Sequence, residues 1–289
     1  MQNPPKIQTK INPLAGLMRQ PKIYVTLPSN GKYWPEGSLN ISSSGEYPVF
    51  SMTAKDELTL KTPDALLNGQ AVVEVLESCI PNIIDGWQVP QIDLDALLIA
   101  IRMATYGNTM DNNVKIGDEE AVYSVDLRLL LEQLKSQISW DERIEVTDSL
   151  IIYVRPLNYR ELSKASIESF ETQRILNLVN DKDMDEDKKI AVFKKSFNKL
   201  TEVTLGIVAN SIYRIDTNSG SVTDQEFIKD FIAQCDREIF NAVKNRLDEL
   251  KEKNSIKPMR VQATAEMIAA GSAEEIEVPI MFDTSNFFE

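Results

Sequence analysis

Histidine is absent from all 289 residues. That removes the commonest general base, the commonest metal ligand and every Ser-His or Cys-His nucleophile arrangement, so an enzyme is not expected. Cysteine is almost as scarce. Cys79 and Cys235 fall at apolar positions of expected helices, which reads as two buried, reduced thiols. Long apolar runs are missing too: the longest, Ala96 to Ile101, ends at Arg102, far short of the roughly 20 residues that span a bilayer. No membrane partner is expected, and without a charged start leading into an apolar stretch no secretory signal is expected either. Positive charge is in deficit, with 31 Lys and Arg against 44 Asp and Glu and a formal net charge of -13. No window reads as basic, and so acidic a chain repels a phosphate backbone, so nucleic acid is not an expected partner. A basic partner surface, or plain solubility, suits the charge better.

Cofactor motifs are lacking in the same way. There is no G-x-x-x-x-G-K-[ST], no G-x-G-x-x-G and no G-x-S-x-G. Asp181-x-Asp183-x-Asp185 begins like a calcium loop, but Glu186 and Val192 stand where the loop needs glycine and glutamate. No metal or other cofactor is expected, and no repeat of solenoid length occurs.

What is present is a dense run of start and stop signals from Glu46 to Ile83. Alternating Tyr47, Val49 and Ser51 read as a strand with one buried face. Thr53 is placed to cap a helical turn, with Asp56 and Glu57 near its positive end. Thr62-Pro63 repeats the device. Asn68-Gly69 interrupts, Ala71, Val72, Val75, Leu76 and Cys79 recur at helical spacing, and Pro81 stops them. A strand feeding two short helices follows. Gly69→Val is expected to break the turn if Gly69 has positive φ.

Elsewhere the patterning is simpler. Ile11, Leu14, Leu17 and Met18 have helix-like spacing, either as a docking arm or packed on the chain itself. Tyr24 to Leu27 and Lys32 to Trp34 flank Pro-Ser-Asn-Gly, which predicts a hairpin. Ile83, Ile84 and Trp87 read as anchors under a loop, and Asp93 as the cap of a broadly apolar helix ending at Gly107. Residues 108 to 126 form a polar excursion closing on a strand at Ala121 to Val125. Asp126 caps the next helix, and Ile144 to Val146 pairs with Leu150 to Val154 around Thr147-Asp148-Ser149. One helix is predicted over Tyr159 to Val179 and a second over Asp187 to Ile215, about 44 Å long if unbroken. The stripe Ile190, Phe193, Phe197, Leu200, Thr204, Ile207-Val208, Ser211-Ile212 and Ile215 reads by default as core of a helical bundle, the alternative being a seam left for another subunit. Thr223-x-x-Glu226 opens a third helix running past Cys235 to Leu250. Lys257 to Val261 and Ile276 to Phe282 read as closing strands, and Phe287-Phe288 either docks a partner or packs back.

The segment PVFSMTAKDELTLKTPDALLNGQAVVEVLESCIPNI (48–83) resembles the hallmark of the baseplate hub assembly proteins of T-even-type contractile-tailed bacteriophages. LPSNGKYWPEG (27–37), DLDALLIAIRMATYGNTMD (93–111) and FDTSNFF (282–288) resemble the same family in the same order. The resemblance implies a non-enzymatic assembly factor, or chaperone, that binds hub subunits in the host cytoplasm. The alternative is a structural subunit kept in the mature tail baseplate. It assigns Thr62, Pro63, Asp64, Asn68 and Gly69 to the hallmark turn, while Leu14, Leu17, Phe287 and Phe288 are the candidate partner contacts. It also implies paired-cysteine zinc knuckles near 108–126 and after Lys257. Here VKIGDEE (114–120) and VQATAEMIAA (261–270) hold no cysteine, so no structural zinc is expected. If those segments pair, apolar contact among Ile116, Val122, Val261, Met267 and Ile268 is expected in its place. The expected fold is α+β and helix-rich, with small antiparallel sheets and a long-helix hairpin or bundle. Its expected organisation is an arm (1–22), an α+β domain (23–157), a helical domain (158–256) and a C-terminal segment (257–289) returning to the first domain. Oligomeric state is left open.

Overall fold

A computed structural model describes residues 14, 18–62, 69–116, 119–136, 140–179, 186–269, 271–278 and 280. The fold is α+β. Its first apolar cluster is built on α3 (Gln91–Tyr106), whose Ala96, Leu97, Ile99, Ala100 and Ile101 are all completely buried. Such a helix, apolar nearly all round, is stable only inside other elements. Around it pack β1 (Pro21–Thr26), β2 (Glu46–Phe50), α2 (Gln70–Cys79) and α4 (Leu127–Ser136), and α1 (Ala54–Leu60) packs against α2. The predicted strand and two helices of the hallmark stretch are β2, α1 and α2.

The hairpin expected at Pro-Ser-Asn-Gly does not form. β1 pairs antiparallel with β2 instead, Val25 opposite Tyr47. The turn itself exists, with positive φ at Asn30 and Gly31, but the buried Asp93 carboxylate draws Ser29 and Trp34 inward and away from β1. Asp93 is therefore no cap: Pro90 occupies that position, without a side-chain hydrogen bond.

The polar excursion is a long hairpin of β3 (Thr109–Ile116) and β4 (Glu119–Asp126) in unbroken register. Asp126 caps α4 as expected, accepting from Arg128 N at 2.9 Å.

The second cluster is organised on a four-stranded antiparallel sheet of β5 (Arg143–Thr147), β6 (Leu150–Val154), β7 (Ile212–Thr217) and β8 (Gly220–Val222), in that order. Between β6 and β7 the chain makes a hairpin of α5 (Tyr159–Val179) and α6 (Glu186–Asn210). The expected long second helix thus stops at Asn210. Ile212 and Ile215 satisfy a strand as well as a helix, and pairing of β7 with the central strand β6 buries both. The third expected helix is two, α7 (Gln225–Gln234) and α8 (Arg237–Asn254), parted at Cys235 and restarted at Asp236. Asp224, rather than Thr223, caps α7. Cys235 is only half-buried as a result, whereas Cys79 is fully buried; both are free thiols.

A final hairpin of β9 (Met259–Gln262) and β10 (Glu275–Val278) brackets the short α9 (Ala265–Ala269). It meets β4 through Tyr123, whose hydroxyl donates to the Gln262 carbonyl at 3.1 Å and lies 3.7 Å from the Met267 sulfur. Met267 is completely buried, but Val122 is 62% and Ile268 43% exposed. The contact is therefore a tyrosine on a methionine, not the apolar patch expected from Val122 and Ile268. Ile116 lies where side chains are not described.

Candidate functional site

In the hallmark segment, Thr53 and Asp56 form a capping box: Asp56 N donates to Thr53 Oγ1 at 3.2 Å, and Asp56 Oδ2 accepts from Thr53 N at 2.7 Å. Arg19 then ties the segment together. Its guanidinium donates to the Ser51 carbonyl at 2.6 Å and to the carbonyl and hydroxyl of Ser78 at 2.6 and 2.9 Å, and lies 3.5 Å from Asp56 Oδ2. One arginine thereby links the chain entering β1 to β2, α1 and the end of α2. Burial beside this clamp pushes the Cys79 thiol up to about 12, with the Asp56 charge adding and Arg19 opposing, so the thiol is inert near neutrality.

Thr62 behaves differently from expectation. Its hydroxyl donates back to the Leu58 carbonyl at 3.1 Å and closes α1. Pro63, Asp64 and Asn68 lie outside the described residues. Gly69 stands at the N-cap of α2 with φ +69°, in the left-handed region that favours glycine. It also abuts α5, where a Cβ would lie 2.9 Å from Ser163 Oγ and 3.0 Å from the Tyr159 hydroxyl.

The two companion segments meet at Asp93. Its completely buried carboxylate accepts from Ser29 N at 2.7 Å, Ser29 Oγ at 2.5 Å and Trp34 Nε1 at 2.7 Å. Burial holds this carboxyl above the ordinary range, against the pull of those donors. The LPSNGKYW turn is thus nailed to the DLDALL helix by one acid.

Just beyond, Glu142 receives Tyr33 at 2.7 Å and Tyr213 at 2.8 Å and pairs with Lys32. Burial raises its pKa, but Lys32 and the two phenols outweigh burial and the net shift is downward. This group bridges the two apolar clusters beside an open cleft of about 370 Å³ that also touches Arg155. A second bridge is backbone: Gln91 N donates to the Leu157 carbonyl and Tyr159 N to the Val89 carbonyl, each at 2.8 Å. Arg155 forks onto Glu161 at 2.9 and 2.7 Å, and Trp87 stacks on Tyr159 at 5.7 Å. Ile84, expected as an anchor beside Trp87, is exposed. Sequence reasoning missed Arg19 and Glu142, because a lone charged residue gives no hint of distant partners.

Of the candidate partner contacts, Leu14 is exposed, while Leu17, Phe287 and Phe288 lie outside the described residues. The larger apolar surface is elsewhere. On α6, Ile190, Phe193 and Phe197 are 62%, 57% and 61% exposed, and on α5 Phe170 and Ile175 are 59% and 44% exposed. The stripe read as core is uncovered at this end of α6. Small polar residues occupy buried positions of the hairpin instead: Thr172 and Ser196 are each 4% exposed. Between Asp187 and Glu202, α6 also carries Lys188, Lys189, Lys194, Lys195 and Lys199 with no carboxylate among them. That is a basic window the composition concealed. Among the described residues no helix is long and apolar enough to cross a membrane. A groove of about 460 Å³ runs along α5 and α6, lined by Thr172, Ile175, Val192 and Lys199.

Comparison with known proteins gives one positive result. The family model described as T4 bacteriophage base plate protein matches residues 20–282, which takes in both apolar clusters, the residues Arg19 holds and the closing hairpin. No curated protein and no solved structure matches the chain. The match spans far more than half of the sequence, and the chain belongs to the T4 bacteriophage base plate protein family.

Proposed function

We propose that this baseplate protein is an assembly factor of the tail hub, acting by binding hub subunits in the host cytoplasm and catalysing no reaction. The observation that carries the reading is the uncovered Ile190, Phe193 and Phe197 stripe on a helix whose hairpin buries Thr172 and Ser196. Large apolar side chains turned outward while small polar ones are buried suit a protein that completes its packing on a partner. The absence of histidine and the likeness of residues 48–83 to hub assembly proteins point the same way. In this reading the two clusters, joined through Glu142 and through Val89 to Gln91, hold the α5–α6 hairpin in one orientation. The surface then shields a hub interface until the neighbouring subunit arrives.

A structural subunit retained in the baseplate is the second reading, favoured by the same uncovered stripe if its partner never leaves. Quantitative mass spectrometry of purified virions separates the two. An assembly factor is absent or far below the copy number of the hub proteins, and a retained subunit is stoichiometric with them. A gene deletion that leaves complete, infectious baseplates contradicts both.

A further inference from the structure

The stripe on α6 carries information about what covers it. Toward its C-terminal end, α6 buries Val208 and Ala209 in the second cluster with Leu205 packed against it. Its first half carries Ile190, Phe193 and Phe197 at i, i+3 and i+7, hence on one face, and all three are more than half exposed. At 100° per residue, Lys189 and Lys194 stand roughly 70° to either side of that face. Lys199 is turned to Glu168 at 3.3 Å. The face is therefore an apolar stripe with Lys189 along one edge and Lys194 along the other, Asp187 standing two turns before Lys194 on the same edge, on a chain whose net charge is -13.

Charge decides among the occupants. A second copy docking through the same face by two-fold symmetry would set lysine edges against lysine edges, a repulsive arrangement. A nucleic acid would suit the lysines but leave the branched Ile190 without a stacking partner. An amphipathic helix with an apolar i, i+3, i+4, i+7 side and carboxylates along its borders satisfies both features.

We propose that the α6 face formed by Ile190, Phe193 and Phe197 docks an acidic amphipathic helix of a neighbouring baseplate protein, whose carboxylates pair with Lys189 and Lys194. This rests on the reading of the chain as a protein that works by binding tail proteins. Affinity comes from the aromatic anchors, and the lysine edges set specificity and speed encounter.

Fluorescence anisotropy with the full-length protein tests this with two synthetic helices of roughly 18 residues, both with leucine at i, i+3, i+4 and i+7. One has glutamate at the flanking positions and the other lysine. The acidic helix is expected to bind at least about tenfold more tightly, with affinity falling as salt is raised. Phe193→Ser combined with Phe197→Ser should weaken it by at least about tenfold, and Lys189→Glu with Lys194→Glu should invert the preference. Melting by circular dichroism identifies any variant that fails to fold, and the charge-reversed variant tests the idea independently of the phenylalanines. Equal affinity for the two helices overturns the proposal. So do competition by a poly-thymidine oligonucleotide at equal strength, and a dimer in sedimentation that the phenylalanine substitutions dissolve. Phage carrying the phenylalanine substitutions separate this idea from the broader one: normal baseplates would remove the docking face, whereas the assembly role itself fails only if the unsubstituted chain co-elutes with no hub subunit.

Discussion

Gly69 lies against the phenol of Tyr159, so near that a Cβ on the glycine would stand 3.0 Å from the hydroxyl oxygen and 3.3 Å from the ring. This contact sets the start of α2 on the first turn of α5, and so couples the hallmark segment to the helical hairpin that carries the uncovered face. The same tyrosine stacks on Trp87 and donates its backbone N–H to Val89.

Gly69→Val is accordingly expected to destabilise the protein by about 2–4 kcal/mol, combining left-handed strain with a clash against α5. Gly69→Asn tolerates the backbone angle but keeps the Cβ, so it should recover only part of that loss. Urea unfolding checks both; unchanged midpoints would show that neither the angle nor the contact matters.

Asp93→Asn should be costly, because one carboxylate oxygen accepts two donors at once, Ser29 Oγ and Trp34 Nε1. An amide nitrogen in that place faces N–H and O–H groups. A loss of about 2–4 kcal/mol is expected, with the Trp34 fluorescence spectrum shifting toward that of exposed indole. A variant that melts with the wild type would mean the LPSNGKYW turn is held by packing alone.

Two acids should show opposite pH behaviour. Burial pushes the Asp95 carboxyl up to about 6, so its ionised form is disfavoured in the fold. Stability is fully relieved of this cost below the ordinary carboxylate value and loses the relief as pH rises through 6. Asp95→Asn is therefore expected to stabilise by about 1 kcal/mol at pH 7.5 and by much less at about pH 4, seen as a converging pair of melting temperatures.

Glu142 runs the other way. Its pKa is depressed by Lys32, Tyr33 and Tyr213 against the effect of burial, so its contribution is present above the ordinary glutamate value and lost as pH falls through the folded one. Glu142→Gln should therefore be destabilising at neutral pH, with the difference from wild type closing in acid. A constant difference across pH 3 to 7 would contradict the bridging role given to this residue.

Local signals were legible in the sequence and non-local ones were not. Thr53 with Asp56, the stop after Cys79, the Asp126 cap and the Thr-Asp-Ser turn each act within a few residues, and each sits where the chemistry of its own segment put it. Pairing partners are another matter. β1 finds β2 across some twenty intervening residues because Asp93 pulls the nearer strand candidate away. Ile212 and Ile215 fit two periodicities, and only β6 decides for the strand. The stripe on α6 had the right period but no information about its cover, since 3.6-residue spacing records that a face is apolar and is silent on whether the chain itself buries it. The apolar surface at Phe193 and Phe197 read by default as core, and only the structure shows it uncovered.

Co-expression of the full chain with each hub protein of its phage, followed by gel filtration, tests the central claim most directly. A protein that works by surface recognition should co-elute with at least one hub subunit, and the complex should weaken when Phe193 and Phe197 become serine. Elution of the chain alone in every pairing would contradict the account.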